Sequence, residues 1–231
     1  EVVDTFGIDA LNSTAFVIAR AGNSNNVHWA IRSIKGLNLT GTNSIQPAVE
    51  LGNNVVDVKT FNTTTFIITV AYQGNSFNGL IQDIKGSLSN TTFVIDTGSD
   101  TKHALVVHNS THYNIIHNSQ GSLVADSYIF KSSNNTETTL SSANPAGLSG
   151  ADSLNNSHFM VVWRNSTTTL VSGLFSYPGT RILSKVISTG SVGSGVNAAI
   201  TKVNDSTFAI VYSNHSTGNN IKFGVFDVNG E

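Results

Sequence analysis

Asn62-Thr-Thr-Thr-Phe66-Ile-Ile-Thr69 decides how this chain reads: a short polar tip, then an aromatic that opens a run of β-branched residues. The arrangement returns as Asn12-Ser-Thr-Ala-Phe16-Val-Ile-Ala19, Asn109-Ser-Thr-His-Tyr113-Asn-Ile-Ile116, Asn155-Asn-Ser-His-Phe159-Met-Val-Val162 and Asn204-Asp-Ser-Thr-Phe208-Ala-Ile-Val211. The anchor asparagines stand 50, 47, 46 and 49 residues apart. Short apolar runs bounded by turn residues predict buried strands, and a fixed period predicts one supersecondary unit repeated five times.

Each module keeps one order around its anchor. An alternating apolar strand comes first, as in Val55 to Phe61, Ala104 to His108 and Ala198 to Val203. The polar tip and the buried strand follow, then a third strand: Val27 to Ile34, Gly79 to Ile84, Asp126 to Lys131, Leu170 to Tyr177 and Ile221 to Val228. It usually stops at glycine, at Gly36, Gly86, Gly179 and Gly230. A fourth segment (Ile45 to Leu51, Thr92 to Asp96, Ile182 to Ile187) leads through Gly52, Gly98, Gly147 or Gly190 into the next module.

Four short strands in some 50 residues is the size of a propeller blade. The expected fold is therefore all-β, a five-bladed β-propeller of four-stranded antiparallel blades in one domain, with modules at 4–52, 53–99, 100–147, 148–193 and 194–231. Two immunoglobulin-like sandwiches would instead predict a two-fold pattern. On these strands and tips, and on the strand ending Val225-Phe-Asp-Val-Asn-Gly230, the chain resembles the tandem propeller repeats of long secreted and cell-surface proteins. That resemblance implies the fold and an outside location, and it carries no functional residue.

Composition narrows the function classes. The 231 residues include 12 Lys+Arg, 14 Asp+Glu and no Cys, while 27 Asn, 29 Ser and 25 Thr supply a neutral amide- and hydroxyl-rich surface. Without cysteine there are no disulfides, no thiolate metal sites and no thiol catalysis, so stability rests on burial and backbone pairing. A net charge of −2 without a basic cluster gives no electrostatic footprint for nucleic acid, and no apolar run approaches membrane-spanning length. Neither nucleic acid nor membrane insertion is expected, and no cofactor. A chain opening on Glu1 rather than Met reads as a processed or excised chain whose signal peptide is gone, with a cloned fragment as the alternative.

Ten Asn-x-Ser/Thr acceptor sequences occur, at Asn12, Asn38, Asn62, Asn90, Asn109, Asn134, Asn155, Asn165, Asn204 and Asn214. Random placement at this composition gives about six, so the total is a weak signal and the register is the stronger one. Five occupy the same tip of every module, and Asn38, Asn90 and Asn134 fall in the link after the third strand. Asparagine is also a favoured turn residue, which explains part of that register. The expectation is covalent N-glycans at the tips of an extracellular protein.

Catalytic and metal patterns are weaker. Phe93-Val-Ile-Asp96-Thr-Gly-Ser99 matches the loop of pepsin-like proteases, which need a second such aspartate, and the chain has none. Asp9, Asp57 and Asp152 on first strands are the carboxylates a propeller glycosidase would use, against the turn chemistry usual for Asp. His103, His108, His112 and His117 crowd module three; folding about Asn109 pairs His108 with His112 and His103 with His117, which reads as surface histidine pairs rather than one metal site. A lectin should repeat its contacts from blade to blade, whereas the eighth position after each anchor holds Arg20, Val70, His117, Trp163 and Tyr212.

The fifth module stops after its third strand, so an open edge is expected along Ile221, Phe223, Val225, Phe226 and Val228, with Val2 and Val3 too short to cover it. Pairing of that edge with copies of itself or neighbouring modules is β-augmentation. The sequence thus points to a non-enzymatic structural or assembly module, the repeating subunit of a filament, coat or surface array. A carbohydrate-binding propeller is the alternative, with a glycoside hydrolase behind it.

Overall fold

A computed structural model describes residues 6–21, 27–40, 43–45, 56–71, 77–83, 88–95, 103–119, 121–130, 135–142, 147–165, 169–189, 198–214 and 220–227. The chain divides into two compact units, Glu1–Thr101 and Lys102–Glu231. The first holds two sheets. One is β1 (Phe6–Asn12), β2 (Ala15–Ala21), β3 (Val27–Ser33) and β4 (Asn43–Ile45); the other is β5 (Val56–Thr60), β6 (Thr65–Ala71), β7 (Phe77–Asp83) and β8 (Leu88–Ile95).

The second unit holds three. They are β9 (His103–Val107), β10 (His112–Ser119), β11 (Ser122–Ile129) and β12 (Asn135–Ser141); β13 (Gly147–Asn155), β14 (His158–Arg164), β15 (Thr169–Ser176) and β16 (Thr180–Thr189); and β17 (Ala198–Asn204), β18 (Thr207–Asn214) and β19 (Asn220–Asp227). Every sheet pairs its strands in chain order and antiparallel, the last with three strands among the described residues. All the strands lie within small antiparallel meanders.

The middle strand of the fourth module folds this way because it is covered on both faces. In β14, Phe159, Val161 and Trp163 join the core shared with β9–β12, while Met160 and Val162 join the core shared with β17 and β18. A strand sandwiched between two neighbours reads as a continuous apolar run rather than an alternation, which is what Phe159 to Trp163 displays. In the first unit the corresponding core packs Val17, Ala19, Trp29 and Ile31 against Val56, Val58, Phe66, Ile68 and Val70, with the Trp29 and Phe66 rings edge-on at 5.1 Å. Truncating one such aromatic to alanine costs about 3–5 kcal/mol. The repeated aromatic is a core residue at Phe66, Tyr113, Phe159 and Phe208, and half-buried at Phe16.

First strands abut one another within each unit, β1 beside β5, β9 beside β13 and β13 beside β17. Close approach requires small residues: a Cβ on Gly7 would sit 2.8 Å from the Val58 backbone nitrogen. Side chains then tie the neighbours. Asp9 accepts from the Thr60 backbone N–H (2.7 Å) and hydroxyl (2.8 Å), and Asp152 accepts from the Lys202 N–H at 2.9 Å.

The predicted strand edges move in places. The fourth strand of module two starts at Leu88, so Asn90 lies within β8 rather than in a link. Gly147, expected in a link, opens β13, while only Ile45 of the segment Ile45 to Leu51 lies on a described strand. Gly36 follows β3 in a turn at φ +80°, a conformation that favours glycine.

Candidate functional site

The five tips share one construction. The side-chain oxygen of Asn12 accepts from the Thr14 N–H (2.9 Å) and hydroxyl (2.8 Å), and Asn62 does the same with Thr64 (2.9 and 2.9 Å). Asn109 takes both bonds from Thr111 (2.9 and 2.8 Å), Asn155 from Ser157 (3.0 and 3.1 Å) and Asn204 from Ser206 (2.9 and 3.0 Å). Each asparagine therefore closes an Asx turn, and the recurrent Ser/Thr two residues on has a structural task in the hairpin. Asn12, Asn62 and Asn204 are exposed; Asn109 and Asn155 are half-buried.

The other acceptor sequences lie elsewhere. Asn38 is exposed and bridged to Arg32, with its Thr40 hydroxyl accepting from the Ile31 N–H at 3.0 Å. Asn165 is exposed after β14, Asn214 ends β18, and Asn134 lies outside the described residues. So does Asp96-Thr-Gly-Ser99 of the protease-like stretch.

The carboxylates proposed for hydrolysis have structural partners. Asp9 and Asp152 are engaged across first strands as described above, and Asp57 accepts from the Val58 N–H at 2.8 Å. Their occupation by backbone N–H groups explains aspartate on these strands without a reaction.

The histidines correct the expectation of surface pairs. The register does set His103 opposite His117, and the His108 N–H donates to the His112 carbonyl at 2.9 Å. Yet His103, His108 and His117 are only 7%, 5% and 0% exposed. His117 is buried because a partner awaits it: its Nε2 lies 3.1 Å from the Asp126 carboxylate. The His108 ring packs edge-on against Phe159 (5.4 Å) and Tyr177 (5.1 Å), with its Nε2 3.2 Å from the Asn114 side-chain oxygen. Burial drives the His108 pKa down to about 4. The same effect pushes the phenols of Tyr113 and Tyr177 up. Among the described residues no three His or carboxylate groups converge as a metal would require.

One cleft gathers hydrogen-bond donors. Ile18, Ala19 and Arg20 of β2 with His28, Trp29, Ala30 and Arg32 of β3 enclose about 220 Å³. Arg20 is the register partner of His28, and strand alternation puts Ile18, Arg20, His28, Ala30 and Arg32 on one face, opposite the Trp29 core. Among the described residues neither Arg20 nor Arg32 meets a carboxylate. Two guanidinium forks and an imidazole beside Ile18 and Ala30 combine hydrogen-bond donors with an apolar floor, a suitable surface for a polyhydroxylated or anionic ligand. Sequence reading noted Arg20 alone; the signal was the even spacing Arg20, His28, Arg32, which holds two of the chain's four arginines.

At the end of the second unit, β19 pairs with β18 and with no other described strand. Ile221, Phe223 and Val225 form an exposed row at 77%, 67% and 51%, whereas Phe226 turns inward and stacks on Phe208 at 5.7 Å. Val2, Val3 and Val228 lie outside the described residues.

The solved proteins to which this set of small antiparallel sheets is similar are β-propellers. A lectin named SapL1, solved with α-methyl fucoside, aligns over 97% of this chain and 76% of its own at TM-score 0.65 and 9% identity. The fucose-specific lectin of Aleuria aurantia aligns over 100% and 77% at TM-score 0.62 and 11% identity. A GH43 endo-arabinanase from Bacillus licheniformis aligns over 97% and 94% at TM-score 0.51 and 10% identity. At such identities the likeness concerns the fold. No protein-family model and no curated protein matches the sequence.

Proposed function

We propose that the sheets are β-propeller blades and that the protein binds carbohydrate without transforming it. The observation that carries this reading is the hollow over one face of the paired strands β2 and β3, where Arg20, His28 and Arg32 present donors with no carboxylate partner among the described residues. The alignment with fucose lectins over nearly the whole chain favours carbohydrate binding over the filament subunit expected from sequence. The arabinanase likeness is weaker in TM-score, and the first-strand aspartates that hydrolysis would recruit are held by backbone N–H groups.

A glycan array followed by calorimetry tests it, comparing methyl α-fucoside with uronate-bearing oligosaccharides. Binding that falls at least tenfold in Arg32→Ala and Arg20→Ala supports the reading. Absence of binding to every saccharide, or equal affinity in both variants, refutes it.

A second reading, self-association through the last sheet, draws on the exposed row Ile221, Phe223 and Val225. Apolar rows of this kind favour association. Sedimentation velocity should then show concentration-dependent oligomers that Phe223→Thr abolishes; a single monomer species across the concentration range removes this reading.

A further inference from the structure

We propose that the exposed tips at Asn12, Asn62 and Asn204 are glycan attachment sites, and that at Asn109 and Asn155 the neighbouring imidazoles keep the amide unmodified. The turn itself asks only for an oxygen acceptor, and an aspartate would make the same two bonds with a charged oxygen. All five tips nevertheless hold asparagine. With the oxygen committed to the residue two positions on, the group left over is the amide nitrogen. The Ser/Thr hydroxyl that defines an acceptor sequence stands 2.8 to 3.1 Å from the amide oxygen at all five tips. The acceptor triplet is thus already in one repeated conformation, and at three tips that conformation is open to solvent.

Modification joins the amide nitrogen to the anomeric carbon of a glycosyl diphosphate, the donor class a cellular transferase supplies. The C–N bond forms as the anomeric C–O bond breaks, the electron pair leaves on the diphosphate, and one amide proton passes to a base of the transferase. A pyranose on that nitrogen needs free volume around the tip. At Asn12, Asn62 and Asn204 the asparagine and the two residues after it are all exposed.

The remaining tips differ by one residue type. His112 Nδ1 lies 2.8 Å from the Thr111 hydroxyl and 3.3 Å from the Asn109 oxygen. His158 Nδ1 lies 2.9 Å from the Ser157 hydroxyl and 3.0 Å from the Asn155 oxygen. The Tyr177 ring packs edge-on against His112 at 5.1 Å, closing one side of the Asn109 tip further. Alanine and threonine occupy the matching position at Asn12, Asn62 and Asn204, as Ala15, Thr65 and Thr207. A histidine three residues after the anchor therefore divides the tips into two classes.

The test is intact mass and glycopeptide mapping of the protein isolated from its natural source, then of variants expressed in the same cells. Sugar on Asn12, Asn62 and Asn204, with Asn109 and Asn155 bare, is the expected pattern. Asn12→Asp keeps the turn oxygen and removes the nitrogen, so it should lose one glycan mass without lowering the melting temperature. His112→Ala should raise occupancy at Asn109. Unmodified Asn12, Asn62 and Asn204 in the glycopeptide map overturn the proposal. Equal occupancy at all five tips, or no change at Asn109 in His112→Ala, overturns the role given to the imidazoles.

Discussion

Gly7 and Gly150 each stand five residues before their anchor asparagine, yet the same substitution should act oppositely at the two. In Gly7→Ala the new methyl would lie 2.8 Å from the Val58 nitrogen and 3.1 Å from the Asp57 Cα and carbonyl carbon, all backbone atoms. Comfortable contact needs roughly 3.5 Å, so β1 must withdraw from β5 by about half an ångström or more. Overpacking of this sort costs about 1–3 kcal/mol. The withdrawal also stretches the bonds from Thr60 to Asp9, two residues along the same strand, where a hydrogen bond to a charged group is worth about 1.5–3 kcal/mol. A total on the order of 2–4 kcal/mol lowers the melting temperature by roughly 5–15 °C in a chain of this size.

At Gly150 the nearest atoms to an added methyl are the Ala198 oxygen at 3.4 Å and Ile200 Cγ2 at 3.5 Å, ordinary contacts. Gly150→Ala should leave stability unchanged or raise it by about 0.4–1 kcal/mol through a less flexible unfolded chain. The chain has two tryptophans, Trp29 in the first unit and Trp163 in the second, so single-tryptophan backgrounds report the units separately. Thermal and urea unfolding followed by Trp29 fluorescence should show the loss in Gly7→Ala. A Gly7→Ala protein melting within about 2 °C of its parent, or equal losses at the two glycines, would refute the reasoning.

Other outcomes follow from the same contacts. Asp9→Ala takes the acceptor from the Thr60 N–H, while the Thr60 hydroxyl keeps the Ala10 carbonyl at 2.9 Å, and Asp152→Ala takes it from the N–H groups of Lys202 and Ser153; each should cost about 1–3 kcal/mol, and an unchanged urea midpoint in either variant would contradict the assignment. His108 titrates near 6.5 when unfolded and about 4 when folded, so the unfolded state binds the proton first. Its contribution is intact above pH 6.5 and is lost between there and pH 4, on the order of 3 kcal/mol. His108→Phe should flatten that decline, and an unchanged slope of stability between pH 7 and 4.5 would argue against it. In the cleft, affinity for an anionic saccharide should fall with added salt while affinity for a neutral one stays level, read by calorimetry at two ionic strengths. Gly173→Ala places a methyl 2.6 to 2.9 Å from the Phe175 and Trp163 rings and should lower the melting temperature monitored by Trp163 fluorescence.

The repeat was legible because every module spells the same local physics. Asn62 with Thr64 and Asn204 with Ser206 make the same turn, and the runs opened by Phe66 and Phe159 are apolar because both faces of their strands are covered. Strand ends were less legible. Leu88-Ser-Asn-Thr-Thr is polar enough to read as a link, yet β7 pairs with it and brings Asn90 into the sheet. The histidines misled because the groups that permit burial come together only in the fold: Asp126 for His117 across β10 and β11, and for His108 the Asn114 side-chain oxygen with the Phe159 and Tyr177 rings packed around it. The cleft escaped because its donors, Arg20, His28 and Arg32, sit on two strands of one module and repeat in none of the others.

The bonds from Asp9 to Thr60 and from Asp152 to Lys202 span 51 and 50 residues, one repeat length in each case. In these two modules a carboxylate three residues before the anchor meets a backbone N–H two residues before the next anchor, so the pairing repeats with the period. Gene duplication of a whole period therefore produces a new neighbour already fitted to both sides. An insertion within a first strand would break that pairing, whereas the segments between the strands absorb the length differences that leave the anchors 46 to 50 residues apart.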